Sequence, residues 1–153
     1  MVRSAEETVT AYERLLYRTA LNLTGCVQDA EDLVQETFLR WLTKRPAFES
    51  DEHEKAWLLR VIINLSRNLM NSAAYRKRSD LLEDYPAADP EEKHLMEEIM
   101  RLPEDHRIVI HLYYYIGYST KEIAAIVGAS EGTVRSRLTR ARRKLKDLLE
   151  EEE

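Results

Sequence analysis

A chain of 153 residues holds one domain or two small ones, and 44% apolar against 33% charged residues, with only four glycines and four prolines, suits soluble helical structure better than a turn-rich all-β fold. A net charge of −5 argues against a uniformly basic nucleic-acid binder, and a single cysteine, Cys26, excludes an internal disulfide. No apolar run reaches the length of a membrane span, and Met1-Val2-Arg3-Ser4-Ala5-Glu6-Glu7 lacks the apolar stretch of a secretion signal, so no stable membrane insertion is expected and the protein reads as cytoplasmic.

The first predicted helix covers about 6–23, with Leu15, Leu16, Thr19, Leu21 and Leu23 as its apolar side and Gly25 as its stop. A second follows, capped near its start by Asp29 and closed by Pro46, with Leu33, Val34, Thr37, Phe38, Trp41 and Leu42 recurring at helical spacing. The polar segment 43–54 reads as a loop. A third helix is predicted over about 54–74, burying Trp57, Leu58, Val61, Ile62, Leu65 and Leu69. These elements make one helical bundle, residues 1–78.

Periodicity fails over 79–90, an acidic stretch with two prolines that reads as a flexible linker. Beyond it, residues 91–153 should form a second helical domain, with helices at about 91–101, 103–115, 120–127 and 131–149. Pro103 suits a first helical turn, where its missing N–H costs nothing, and Glu104 and Asp105 favour the same end electrostatically. The expected fold is therefore all-α, two small helical domains joined by a linker.

Charge is segregated along this chain. Every formally charged residue from Arg60 to Arg78 is basic, as is every one from Arg135 to Lys146, while acids crowd 29–54, 80–105 and 150–153. Two basic stretches supply phosphate contacts even in an acidic molecule. The second stretch lies in the strongest motif. Ser119-Thr120-Lys121-Glu122 is a capping box, Gly128-Ala129-Ser130 allows a sharp reversal, and Val134, Leu138, Ala141, Leu145 and Leu148 share one face of the next helix. That arrangement is a helix-turn-helix whose second helix presents Arg135, Ser136, Thr139, Arg140 and Arg143 to a major groove. A plain helical hairpin with a solvated basic face is the bland alternative, and it leaves the coincidence of cap, turn, spacing and charge unexplained.

Ser130-Glu131-Gly132-Thr133-Val134-Arg135-Ser136-Arg137-Leu138, with Arg140-Ala141-Arg142, closely resembles the end of the promoter-binding domain 4 of extracytoplasmic-function sigma factors, of the sigma-70 family. Leu102-Pro103-Glu104-Asp105-His106-Arg107 and Tyr118-Ser119-Thr120-Lys121-Glu122-Ile123-Ala124 are similar to the same domain. Asp29-Ala30-Glu31-Asp32-Leu33-Val34-Gln35-Glu36-Thr37-Phe38 resembles the polymerase-binding helix of domain 2, and Ala56-Trp57-Leu58-Leu59-Arg60-Val61-Ile62-Ile63-Asn64 its promoter-melting helix. Two features depart from the pattern. Ser130 stands where the family often has Pro, and the acidic segment 48–55 does not match the commoner family loop.

The resemblance implies a sigma factor that binds core RNA polymerase and directs promoter-specific initiation, with domain 2 at 1–78 and domain 4 at 91–153. Polymerase binding then falls to Asp32, Leu33, Gln35, Glu36 and Leu39, against the β′ clamp helices, with the β flap as a second contact. The minus-10 element falls to Phe48, Arg60, Asn64, Arg67, Asn68, Arg76, Lys77 and Arg78, with Asn64 and Asn68 one turn apart and able to donate and accept to an unstacked base. The minus-35 element falls to Thr133, Arg135, Ser136, Arg137, Thr139, Arg140 and Arg143. An anti-sigma protein is a further implied partner. Trp57 is expected in the core, and the Tyr113-Tyr114-Tyr115 run in the core or on a polymerase-facing edge.

Two rival classes leave residues unused. A conventional operator-binding regulator needs the helix-turn-helix but not the 29–38 and 57–64 motifs. An enzyme finds no support: Glu31, Asp32 and Glu36 have no His at bundle metal spacing, no Gly-rich phosphate loop appears, and Cys26 lacks a catalytic setting. His53, His94, His106 and His111 show no Cys/His ligand spacing, so neither metal nor cofactor is expected.

Overall fold

The computed structural model describes residues 3–150, which contain helices and turns and no strand. The chain divides into two compact units between Arg78 and Ser79.

In the first unit, α1 (Ala5–Thr24) starts where the Ser4 hydroxyl accepts from the Glu7 N–H and stops at Gly25, whose φ of 70° lets its N–H reach the Leu21 carbonyl. Thr19 and Thr24 enter the core because their hydroxyls donate to the carbonyls of Leu15 and Ala20, both at 2.8 Å. Helix α2 (Val27–Lys44) has no side-chain cap. Asp29, expected to cap it, lies inside its first turn and pairs with Arg78 instead. The helix also runs past the predicted break at Thr43, to Arg45 in left-handed conformation (φ 42°) before Pro46.

Helix α3 (Asp51–Met70) starts earlier than predicted, because Ser50 caps it through the His53 N–H and Asp51, Glu52 and Glu54 populate its first turn. The connecting loop is therefore only 45–50. The chain also breaks at 71–72, where Ser72 caps a short helix, α4 (Ala73–Arg76), rather than continuing to Ala74. Helix α3 buries Leu58, Leu59, Ile62, Ile63, Ser66 and Met70 against α1 and α2. Trp57, Val61, Leu65 and Leu69 of the predicted stripe are only half-buried, and Trp57 is thus not a core residue. Leu42 of α2, also expected inside, is 41% exposed. Tyr75 closes the unit by donating its hydroxyl to the Thr24 carbonyl at 2.8 Å, satisfying an orphan acceptor at the end of α1.

The second unit opens with two short turns, Glu83 N–H to Asp80 carbonyl and Tyr85 N–H to Leu82 carbonyl, and buries Leu82 and Tyr85. The 79–90 stretch, expected as a linker, thus contributes two turns and two buried side chains to the second unit. Asp89 caps α5 (Pro90–Met100), with Pro90 at the start. Pro103 sits at the cap position of α6 (Glu104–Ile110), one place outside the predicted first turn. The predicted continuation to Tyr115 changes character into a π-helical turn, His111–Ile116, that ends at Gly117 with φ 88°. Helices α7 (Thr120–Val127) and α8 (Glu131–Glu150) follow. Leu102, Ile108, Leu112, Ile123, Val134, Leu138 and Ala141 form the core beneath them.

Candidate polymerase and promoter interfaces

The segment from the start of α7 through the turn into α8 is built as its sequence demands. Ser119 accepts from the Glu122 N–H at 3.1 Å while Glu122 accepts from the Ser119 N–H at 3.0 Å, completing the capping box. Gly128 (φ 71°) and Ala129 both donate to the Ala124 carbonyl. The Ser130 hydroxyl then accepts from the Thr133 N–H at 3.1 Å, and Thr120 bonds Glu131 across the turn at 2.9 Å. With Val134, Leu138 and Ala141 buried against α6 and α7, α8 turns its opposite face outward.

The seven predicted α8 residues do not share one environment. Arg135, Thr139, Arg140 and Arg143 are exposed, with Arg135 held 3.3 Å from Glu131 and Thr139 bonded to the Arg135 carbonyl. Thr133 is exposed beside Ser130, whereas Ser136 is half-buried. Arg137 turns back to Asp105, 3.8 Å away, and braces α8 on α6. Near it, burial pushes His106 below its ordinary range; Asp105 opposes the fall, and Arg137 and Arg140 add to it.

Arg142 was missed by periodicity, although it lies on the Arg135 face two turns further along. Its guanidinium donates to the Tyr114 hydroxyl and sits over the rings of Tyr113 and Tyr114, 5.3 and 5.5 Å from their centroids. Tyr114 and Tyr115 are 58% and 54% exposed, so these tyrosines form a surface cluster rather than core. Only Arg at an i, i+7 relation to Arg135 hinted at this from sequence.

In the first unit, Asp32, Gln35, Glu36 and Leu39 line an exposed face of α2, with Leu33 half-buried beside them. Leu39 is 56% exposed, a large apolar side chain among acids. Glu36 pairs with Arg40 at 3.3 Å, and Asp32 accepts from Gln28 at 3.0 Å. On α3, Arg60, Asn64, Arg67 and Asn68 fall on one helical meridian, with both asparagines exposed. Arg76 bonds Asn71 at 3.1 Å and Lys77 is exposed. Arg78 faces inward, pairing with Asp29 and donating to Cys26 Sγ at 3.2 Å. Phe48 is half-buried, edge-on to His53 at 5.3 Å and to Trp57 at 5.8 Å. No helix of the described residues is long and apolar enough to cross a membrane.

Comparison with known proteins accounts for both units. Residues 8–79 match the family model for sigma-70 region 2, and 93–145 match that for sigma-70 region 4. The chain is 36% identical to the ECF RNA polymerase sigma factor SigL of Mycobacterium tuberculosis over 148 residues, covering 90% of this chain and 84% of that protein. It is 35% identical to the ECF RNA polymerase sigma factor EcfG of Rhodopseudomonas palustris, over 95% of this chain and 85% of that one. Against SigE of Mycolicibacterium smegmatis, 33% identical, it spans 95% of itself but only 62% of its relative. Among solved structures it is similar to the sigma factor RpoE in complex with the anti-sigma factor NepR from Bartonella quintana (TM-score 0.74, 29% identity, 95% of this chain and 96% of that one). It is similar also to CnrH in complex with the cytosolic domain of CnrY (TM-score 0.77, 30% identity, 97% and 89%). With two regions matched in order and relatives of the same kind matched over most of this chain, the chain belongs to the sigma-70 family, in its extracytoplasmic-function branch.

Proposed function

We propose that this sigma factor divides promoter recognition between its two units and performs no catalysis of its own. Residues 1–78 act as domain 2 and 91–153 as domain 4, joined through 79–90. The carrying observation is the outward face of α8: exposed Arg135, Thr139, Arg140 and Arg143 on a helix entered through the Gly128 turn and capped by the Ser130 hydroxyl. Arg135, Ser136, Thr139 and Arg140 read base edges of a minus-35 element, while Thr133 and Arg143 favour its backbone. Arg137, tied to Asp105, holds the helix and lends charge.

Asp32, Gln35 and Glu36 around Leu33 and Leu39 dock on the β′ clamp helices of core RNA polymerase, the acids steering encounter and the leucines supplying apolar area. Domain 4 contacts the β flap. Asn64 and Asn68 recognise an unstacked minus-10 base beside Phe48, and Arg60, Arg67, Arg76 and Lys77 hold phosphates. Arg78, committed to Asp29, adds charge to that patch. The complexes of RpoE with NepR and of CnrH with CnrY support an anti-sigma partner here, in the cytoplasm. Transcription reconstituted from core polymerase, this protein and genomic template, with start sites sequenced, tests the reading. Specific starts should appear only when the protein is added, and their absence rejects it in favour of an operator-binding regulator.

A further inference from the structure

Glu54 is a carboxylate only 5% exposed that the mechanism above leaves without a task. A buried carboxylate is costly unless paired and hydrogen-bonded. Among the described residues the Glu54 carboxylate has two partners: Trp41 Nε1 donates to its Oε2 at 3.1 Å, and Arg3 Nε lies 3.7 Å from Oε1. Arg3 also pairs with Asp51 at 2.9 Å and lies 5.2 Å over the Tyr12 ring, whose hydroxyl donates to the Asp51 carbonyl at 3.2 Å. The Trp41 indole in turn carries the Arg45 guanidinium, 4.8 Å from its ring centroid, at the residue where the chain leaves α2. The tip of the 45–50 loop is held as well, since the Glu49 N–H donates to His53 Nδ1 at 3.1 Å and Phe48 rests edge-on against His53 and Trp57. Both ends of the loop thus hang on the first turns of α3.

We infer that Glu54 is a positioning residue: through Trp41 and Arg45 it fixes the root of the 45–50 loop, and so sets how strictly an unpaired minus-10 base is chosen. The inference rests on the reading that the unstacked minus-10 base is recognised beside Phe48, which makes the 45–50 loop a wall of its pocket. The physical reason is preorganisation. Discrimination between bases depends on pocket walls that hold their place when the wrong base enters, and a wall is only as fixed as its supporting shell. An indole N–H is a donor only, so removing its buried acceptor frees Trp41, and with it Arg45, to seek other partners.

The 153-residue protein with core polymerase should transcribe two templates that differ at one minus-10 base, chosen from the start sites used by the wild type. The readout is the ratio of the two outputs, which a general loss of stability does not move. Phe48→Ala and Glu54→Ala should each lower that ratio about tenfold, in the range of one mismatched base pair. Glu54→Gln keeps an acceptor for Trp41 but drops the charge facing Arg3, and should lower it about threefold. Equal loss on both templates in Glu54→Ala, with Phe48→Ala still flattening the ratio, overturns the positioning role and leaves the pocket reading standing. An unchanged ratio in Phe48→Ala overturns both. Should Glu54→Ala fail to fold, Glu54→Gln decides alone, and an unchanged ratio there overturns the inference.

Discussion

Arg135 and Arg143 share one helix and face different tasks. Arg135 stands in the first turns of α8, steadied by Glu131, where a groove-reading side chain belongs; Arg143 is exposed two turns later, without such an acidic anchor among the described residues. Arg135→Ala should cost about 1–3 kcal/mol on the preferred minus-35 sequence and little on altered ones, relaxing specificity. Arg143→Ala should weaken all sequences alike and flatten the slope of log affinity against log salt, as titration of duplexes by fluorescence anisotropy would show. His106 makes a separate residue-scale prediction. Burial lowers its pKa, with Arg137 and Arg140 acting in the same direction against Asp105. The unfolded chain therefore takes up a proton first on acidification, near the ordinary histidine value of about 6.5. The stability His106 contributes is complete above that pH and is lost as pH falls toward the folded-state value. Urea midpoints of the whole protein between pH 7.5 and 5 should follow this slope, and His106→Gln should make it shallower.

At the scale of elements, the α7–turn–α8 segment was the most legible because its signals are local. Ser119 and Glu122 sit three residues apart on one turn, and Gly128 occupies a φ of 71° that other residues reach only at a cost. Nothing lies within 4 Å of where a Gly128 side chain would begin, so Gly128→Ala should lose about 1 kcal/mol from backbone strain alone. Ser119→Ala should lose a similar amount, about 1 kcal/mol, and both losses are measurable by chemical denaturation. Helix α3 was misread for the opposite reason. Leu58-Leu59-Arg60-Val61-Ile62-Ile63 is apolar on more than one face, so spacing alone left the buried strip undetermined; packing against α1 and α2 chose Leu59, Ile63 and Met70 over Val61, Leu65 and Leu69. The π-helical turn and the break at Asn71-Ser72 left no period to read. Glu54 looked like one more loop acid, since its indole partner lies on another helix. Tertiary contacts likewise took Asp29 from its expected cap and paired it with Arg78.

For the whole molecule, net charge misleads and charge order informs. A chain at −5 carries two runs without a single acid, 60–78 and 135–146, and an acid-rich face on α2 around an exposed Leu39. Asp32→Lys with Glu36→Lys should therefore weaken core-polymerase binding by at least about tenfold at low salt, while leaving duplex binding by the second unit unaltered. Pull-down and anisotropy on the same preparation separate the two effects. The way the first unit ends has its own consequence. Tyr75 reaches back to the end of α1 and Arg78 to the first turn of α2, so the last residues before the division are stitched to the beginning of their own unit. A hybrid protein joined to another family member's second unit after residue 78 should keep those stitches and remain cooperative on heating. One joined before residue 72 would cut both, and should melt earlier even though every base-reading side chain of the donor half is present.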